Sequence, residues 1–190
     1  MIEIRIHGRG GQGAVIASKL LASAFFKEGK YVQSFPTFGV ERRGAPVAAF
    51  VRVDEEPILV RSQIYEPDHI IVLDPTLIEA IDVTKGLRDG GWILINTAKG
   101  PGEFQDLQNF RVATVDASGI AVRHRLGSKT HPIVNTAILG AFARATQLVQ
   151  LDSILEAIQE EVPIAPENNV KAAKEAFEKV LLEEGAITNP

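Results

Sequence analysis

Cysteine is absent from this chain of 190 residues, and tryptophan and methionine occur once each. Without a thiol the chain can form no disulfide, offer no thiolate nucleophile and ligate no iron–sulfur cluster through cysteine. Histidine is scarce too: His7, His69, His124 and His131 are scattered, and no two of them have the spacing that puts metal ligands on one helix face. His7 and His69 fall in strand-like text, where a hydrogen-bonded structural role is expected. No apolar run reaches the roughly 18 to 20 residues of a bilayer-crossing helix, and Met1 leads straight into IEIRIH rather than a basic-then-apolar leader. The expected location is the cytoplasm, away from membranes. Positive charge is also in short supply: the net charge of -4 argues against a general nucleic-acid binder, whose affinity comes from neutralising phosphates.

What remains is an ordinary globular composition, 45% hydrophobic and 23% charged, of a length that suits a single domain over residues 1–190. Charge is unevenly placed along it. Residues 1–50 carry seven basic against three acidic side chains, whereas residues 151–190 carry nine acidic against three basic, so an anion-binding surface is expected near the N-terminus.

IEIRIH alternates in period two and ends at a glycine cluster, as a first strand does. From Ala14 to Lys27 apolar residues recur every three or four positions, and Gly29 suits the end of a helix. YVQSF and PVAAFVRV are expected strands, with residues 58–60 placed to pair with the latter as a hairpin across the DEEP turn. HIIVLD, WILINT and FRVATVDA are apolar runs of the kind buried on both faces of a parallel sheet. Helical text lies at residues 75–81, 120–124 and 132–149, and two further helices, LDSILEAIQEEV and PENNVKAAKEAFEKVLLEE, complete the chain. Strands alternating with helices predict an α/β fold: a doubly wound, mainly parallel sheet with helices on both faces, a hairpin insertion and a helical C-terminus.

HGRGGQGA sets Gly8, Gly10 and Gly13 in G-x-G-x-x-G order between a strand and a helix, with Arg9, Gly11 and Gln12 among them. Such a loop brings backbone N–H groups to an anion at the positive end of a helix, and Arg9 would add charge. Three readings stay open for it: a phosphate site, a tight turn that needs positive φ, and a surface packed on another subunit. A nicotinamide dinucleotide site would also need an acidic residue at the end of the second strand. Ser34 and Phe35 stand there instead, and Glu28 belongs to the end of the first helix. A Walker-type loop fails because no Gly-Lys-Ser/Thr closes the motif.

SFPTFGVERRGAP, residues 34–46, is the second unusual segment. Gly and Pro shape its backbone around Phe38, Gly39, Glu41, Arg42, Arg43 and Gly44, and such a loop is suited to presenting arginines to a partner or ligand. Phe35 and Phe38 in the core with a solvated turn is the plainer alternative. HGRGGQGA followed by this segment resembles the gamma subunit, or the equivalent fused domain, of pyruvate and related 2-oxoacid:ferredoxin oxidoreductases. The likeness continues through LDP after HIIV, through WILINT, and through VDASGIAVRHRLGSKTHPIVNTAILGAFARAT, which contains Asn135. It spans roughly residues 1–160.

The resemblance implies one subunit of an assembly that converts a 2-oxoacid and coenzyme A to an acyl-CoA, carbon dioxide and reduced ferredoxin, or runs the reverse reaction. Its alpha, beta and ferredoxin-like delta partners would carry thiamine diphosphate, magnesium and [4Fe-4S] clusters. No Gly-Asp-Gly followed by Asn is present here to bind a diphosphate-metal pair. Gly8, Arg9, Gly10, Gly11, Gln12, Gly13, Phe38, Gly39, Glu41, Arg42, Arg43, Gly44 and Asn135 are the candidate coenzyme A or interface residues, and no catalytic residue is expected. A stand-alone nucleotide- or flavin-binding oxidoreductase and a scaffolding module are the competing readings.

Overall fold

The computed structural model describes residues 1–37, 43–107 and 109–183. Phe38, Gly39, Glu41 and Arg42 lie outside the described residues. The strands are β1 (Ile2–Arg9), β2 (Tyr31–Pro36), β3 (Pro46–Asp54), β4 (His69–Val72), β5 (Trp92–Asn96), β6 (Arg111–Val115) and β7 (Leu181–Leu182). The helices are α1 (Ala14–Lys27), α2 (Leu77–Ala80), α3 (Ala117–Arg123), α4 (Ala137–Thr146), α5 (Leu151–Glu161) and α6 (Pro166–Lys179).

All seven strands form one sheet in the order β2-β3-β1-β4-β5-β6-β7. Its centre, β1-β4-β5-β6, is parallel, while β3 runs antiparallel to both β1 and β2, and β7 antiparallel to β6. Five of the seven strands therefore point one way, which makes the sheet mainly parallel. Side-chain alternation divides its two faces. Ile4, Ile6, Val51, Ile71, Leu94 and Ala113 join a large core with α1, α3, α4, α5 and α6. Ile70, Val72, Ile93, Ile95 and Val112 face a smaller core closed by Leu77 of the one-turn α2 and by Val83, Leu87 and Leu107. The parallel strands read as unbroken apolar runs because both faces are covered.

On the second face β1 carries Glu3, Arg5 and His7, and β3 sets Arg52 beside the buried Phe50. Arg52 is 1% exposed, and its Nε donates to Glu3 Oε1 at 2.7 Å. His7 Nε2 accepts from Arg5 Nε at 2.9 Å, and Arg5 also donates to the Val83 and Lys85 carbonyls. His69 Nδ1 accepts the Trp92 amide at 3.2 Å. Burial holds both imidazoles down to about 4, with the Arg5 charge adding to the effect at His7. His7 and His69 are thus hydrogen-bonded parts of the sheet.

Several element boundaries differ from the sequence expectation. Residues 58–60 form no strand, because the edges of β3 are already taken by β1 and β2. The hairpin is β2–β3, and Leu59 stands 86% exposed. The helix expected over residues 132–149 begins only at Ala137: residues before it are held as a loop, with Ile133 N donating to Leu126 O at 3.1 Å. The last helix stops at Lys179, since Leu181 and Leu182 pair with Thr114 and Ala113 and close the open edge of β6. No helix among the described residues is long and apolar enough to cross a membrane.

Candidate functional site

From β1 the chain passes through α1 to the β2–β3 side of the sheet and then returns to β4 on the other side. Where strand order reverses in this way, the connections at the carboxyl ends of neighbouring strands diverge and leave a crevice. A cleft of about 810 Å³ opens there, walled by the glycine loop, by Asp74 and Asn96 at the ends of β4 and β5, and by residues 130–135.

The glycine loop owes its shape to two left-handed residues, Gly11 at φ 96° and Gly13 at φ 81°, which side chains adopt only under strain. Gly13 caps α1 through its carbonyl, accepting from Ala17 N at 2.9 Å, with no side-chain cap. Helix geometry leaves the first amides of α1 without intrahelical acceptors, and Gly11, Gln12, Gly13 and Ile16 line the cleft there. A Cβ on Gly13 would lie 2.5 Å from Asn135 Nδ2, so glycine is needed for close approach as well as for φ.

The second loop is fastened to the first. Gly10 N donates to Ala45 O at 2.9 Å, Gly44 N donates to Gly10 O at 3.1 Å, and Arg9 Nη1 donates to Gly44 O at 3.2 Å. The other ends of the Arg9 guanidinium reach β4's exit: Nε donates to Asp74 Oδ2 at 3.1 Å and Nη2 to Thr76 Oγ1 at 2.8 Å. Gln12 closes the arrangement, its Nε2 donating to Asp74 Oδ2 at 2.9 Å while its Oε1 accepts the Arg9 amide at 2.7 Å. Arg9 therefore braces two loops, a different task from a free phosphate ligand. Burial pushes the Asp74 carboxyl up, but hydrogen bonds from Thr76 and Gln12 and the Arg9 charge outweigh it and hold the group below the usual carboxylate range.

Arg43, exposed, lines the same cleft. On the opposite wall a polar chain runs from Ser128 Oγ to Thr130 Oγ1 at 3.1 Å and on to His131 Nδ1 at 3.0 Å. Asn96 Nδ2 donates to Leu73 O at 2.9 Å, and its Oδ1 accepts Ser118 N at 3.1 Å. Asn135 is 5% exposed, and its Oδ1 finds no hydrogen-bond partner among the described residues. The structure thus brings Arg9, Gly10, Gly11, Gln12, Gly13, Arg43, Gly44 and Asn135 to one cleft, with Gly8 beneath it against Leu73 and Ala14. Sequence reasoning missed Asp74, Thr76, Asn96, Ser118 and His131. The available signal was position, since Asp74 and Asn96 end or follow buried parallel strands, where ligand crevices open.

Glu28, the nearest acidic residue for a dinucleotide ribose, instead accepts Gln150 N at 2.7 Å at the far end of α1. Cysteine-ligated clusters do not fit a chain without cysteine, and no group of three His, Asp or Glu side chains that could hold a metal gathers among the described residues.

Residues 3–179 match the family described as pyruvate ferredoxin/flavodoxin oxidoreductase. The chain is 57% identical over 188 residues to the "Pyruvate/ketoisovalerate oxidoreductases common subunit gamma" of Thermococcus kodakarensis, covering 97% of this chain and 100% of that one. It is 52% identical over 181 residues to "Pyruvate synthase subunit PorC" of Methanothermobacter marburgensis, covering 95% and 98%. Its fold matches the crystal structure of the pyruvate oxidoreductase subunit PORC from Thermotoga maritima with a TM-score of 0.81 and 35% identity, over 96% of this chain and 98% of that one.

Proposed function

The chain belongs to the pyruvate ferredoxin/flavodoxin oxidoreductase family as a gamma-type subunit, and from that premise we propose that it forms one wall of the coenzyme A entry route in a 2-oxoacid:ferredoxin oxidoreductase. The assembly decarboxylates a 2-oxoacid oxidatively to acyl-CoA, carbon dioxide and reduced ferredoxin, or runs in reverse. Alpha, beta and ferredoxin-like delta subunits are the proposed partners, ferredoxin the external acceptor and the cytoplasm the location. Thiamine diphosphate with magnesium and the iron–sulfur clusters belong to those partners and supply carbanion and one-electron chemistry there.

One observation carries the coenzyme A reading: the glycine turn that starts α1, lined by Gly11, Gln12, Gly13 and Ile16, and the exposed Arg43 meet in a single cleft at the strand-order reversal. That end offers an anion hydrogen-bond donors and positive potential. Its work is to bind and orient. Arg43→Ala in the assembled complex is expected to raise the KM for coenzyme A about ten-fold, the loss of one charge-assisted contact, with the KM for the 2-oxoacid unchanged. An unchanged coenzyme A KM in an intact complex removes the reading.

A second role for the same end of the molecule, contact with partner subunits, is favoured by Ile16, Ile133 and Ile164, which are 52%, 47% and 79% exposed. They rim a mostly apolar hollow of about 440 Å³ that adjoins the cleft at Asn135.

A further inference from the structure

The geometry points to Asp74 as the positioning residue of this cleft: through Arg9 and Gln12 it sets the spacing between the glycine loop and the arginine loop, and so the affinity for coenzyme A. This inference rests on the coenzyme A reading above and adds a residue that touches no ligand itself.

Four donors converge on the Asp74 carboxylate. Oδ2 accepts from Arg9 Nε and Gln12 Nε2, and Oδ1 accepts from Thr76 N at 3.0 Å and Thr76 Oγ1 at 2.6 Å. Arg9 lies 65 residues away in sequence and Gln12 lies 62, so the carboxylate ties the exit of β4 to the turn that starts α1. Arg9 carries the tie onward to the Gly44 carbonyl, next to Arg43. The backbone of the second loop adds the Gly10–Ala45 and Gly44–Gly10 bonds. Moving Asp74 therefore moves two sets of groups, the α1 amides through Gln12 and the Arg43 backbone through Arg9.

Asparagine is a partial substitute of equal size. With its oxygen towards Arg9 and Gln12 the amide would keep both of those bonds and donate to the Thr76 hydroxyl, losing only the Thr76 N–H, so cutting the linkage needs the carboxylate removed. Only a carboxylate accepts all four.

The test is a double-mutant cycle in the purified holoenzyme complex, reading KM for coenzyme A, KM for the 2-oxoacid and kcat by ferredoxin reduction. Asp74→Ala is expected to raise the coenzyme A KM about ten-fold with kcat at saturation within about two-fold, and Arg9→Met to do the same. Combined, they are expected to cost about as much as either alone, because both cut one linkage. A generally loosened fold would lower kcat and the amount of complex together. Should Asp74→Ala not assemble, Thr76→Val and Arg9→Lys carry the same expectation at smaller size, since Thr76→Val removes the hydroxyl that joins Asp74 to Arg9 and Arg9→Lys cannot keep all three guanidinium contacts, while both leave the carboxylate in place. Unchanged coenzyme A KM in Asp74→Ala and Arg9→Met, while Arg43→Ala raises it, overturns the positioning role and leaves the coenzyme A reading standing. If Arg43→Ala is silent as well, that reading has failed and this inference falls with it. Multiplying effects in the double mutant, about 100-fold, would also overturn it, because Asp74 would then not act through Arg9.

Discussion

Replacing Gly13 with alanine imposes two separable costs. The backbone stands at φ 81°, a left-handed conformation that costs a side-chain-bearing residue about 1–2 kcal/mol. The added Cβ also meets Asn135, 2.5 Å from Nδ2, 3.2 Å from Cγ and 3.3 Å from Cβ, and rotating the amide relieves the first contact but not the last, which is fixed to the backbone. Overpacking of this kind adds about 1–3 kcal/mol. Gly29 isolates the first cost, because it has the same φ of 81° with nothing within 4 Å of its virtual Cβ. At about 2–4 °C per kcal/mol for a chain of this size, Gly29→Ala should lower the Tm by roughly 3 °C and Gly13→Ala by roughly 10 °C. Circular dichroism melts of the isolated subunit read both. In an Asn135→Ala background the cost of Gly13→Ala should shrink towards that of Gly29→Ala. Equal melting shifts for the two glycine variants, or a difference that persists without Asn135, would refute the claim that Gly13 is required for close approach to that side chain.

Arg52→Met leaves Glu3 with only the longer contact to Arg88 at 3.8 Å, and losing the partner of so buried a pair is expected to cost up to about 3–5 kcal/mol by urea denaturation. Glu3→Gln should cost less, since the amide oxygen still accepts from Arg52. A different assay follows from His7 and His69, whose folded pKa of about 4 lies below the unfolded value near 6.5. Their contribution is complete above about pH 6.5 and is lost as pH falls towards 4, by about 3 kcal/mol for each imidazole. Urea midpoints measured from pH 7 to pH 4 should drop along that range, and His69→Gln should flatten the drop; an unchanged slope contradicts the assignment.

The parts of this molecule written in local sequence were legible in it. IEIRIH and the three- and four-residue spacing of Ala17, Leu20, Leu21, Ala24 and Phe25 each carry their own period, so β1 and α1 fall where expected. Residues 58–60 misled because strand pairing depends on which sheet edges remain free, and that is decided by β1 and β2, distant in sequence. Leu181 and Leu182 misled for a related reason: their helix-favouring text continues α6, yet the open edge of β6 offers them backbone partners. At the cleft, the glycines announced themselves by spacing. Asp74 did not, because a lone acidic residue before a proline also suits an ordinary turn, and only the approach of Arg9 and Gln12 from 65 and 62 residues away reveals its load.

Depletion and restoration of this subunit test the central claim most directly. The proposed partner subunits purified without it should reduce ferredoxin from 2-oxoacid and coenzyme A poorly, with weakened dependence on coenzyme A, and adding back the purified chain should restore both rate and coenzyme A affinity. Full activity with an unaltered coenzyme A KM in the depleted complex, or turnover by the isolated chain, would contradict the account.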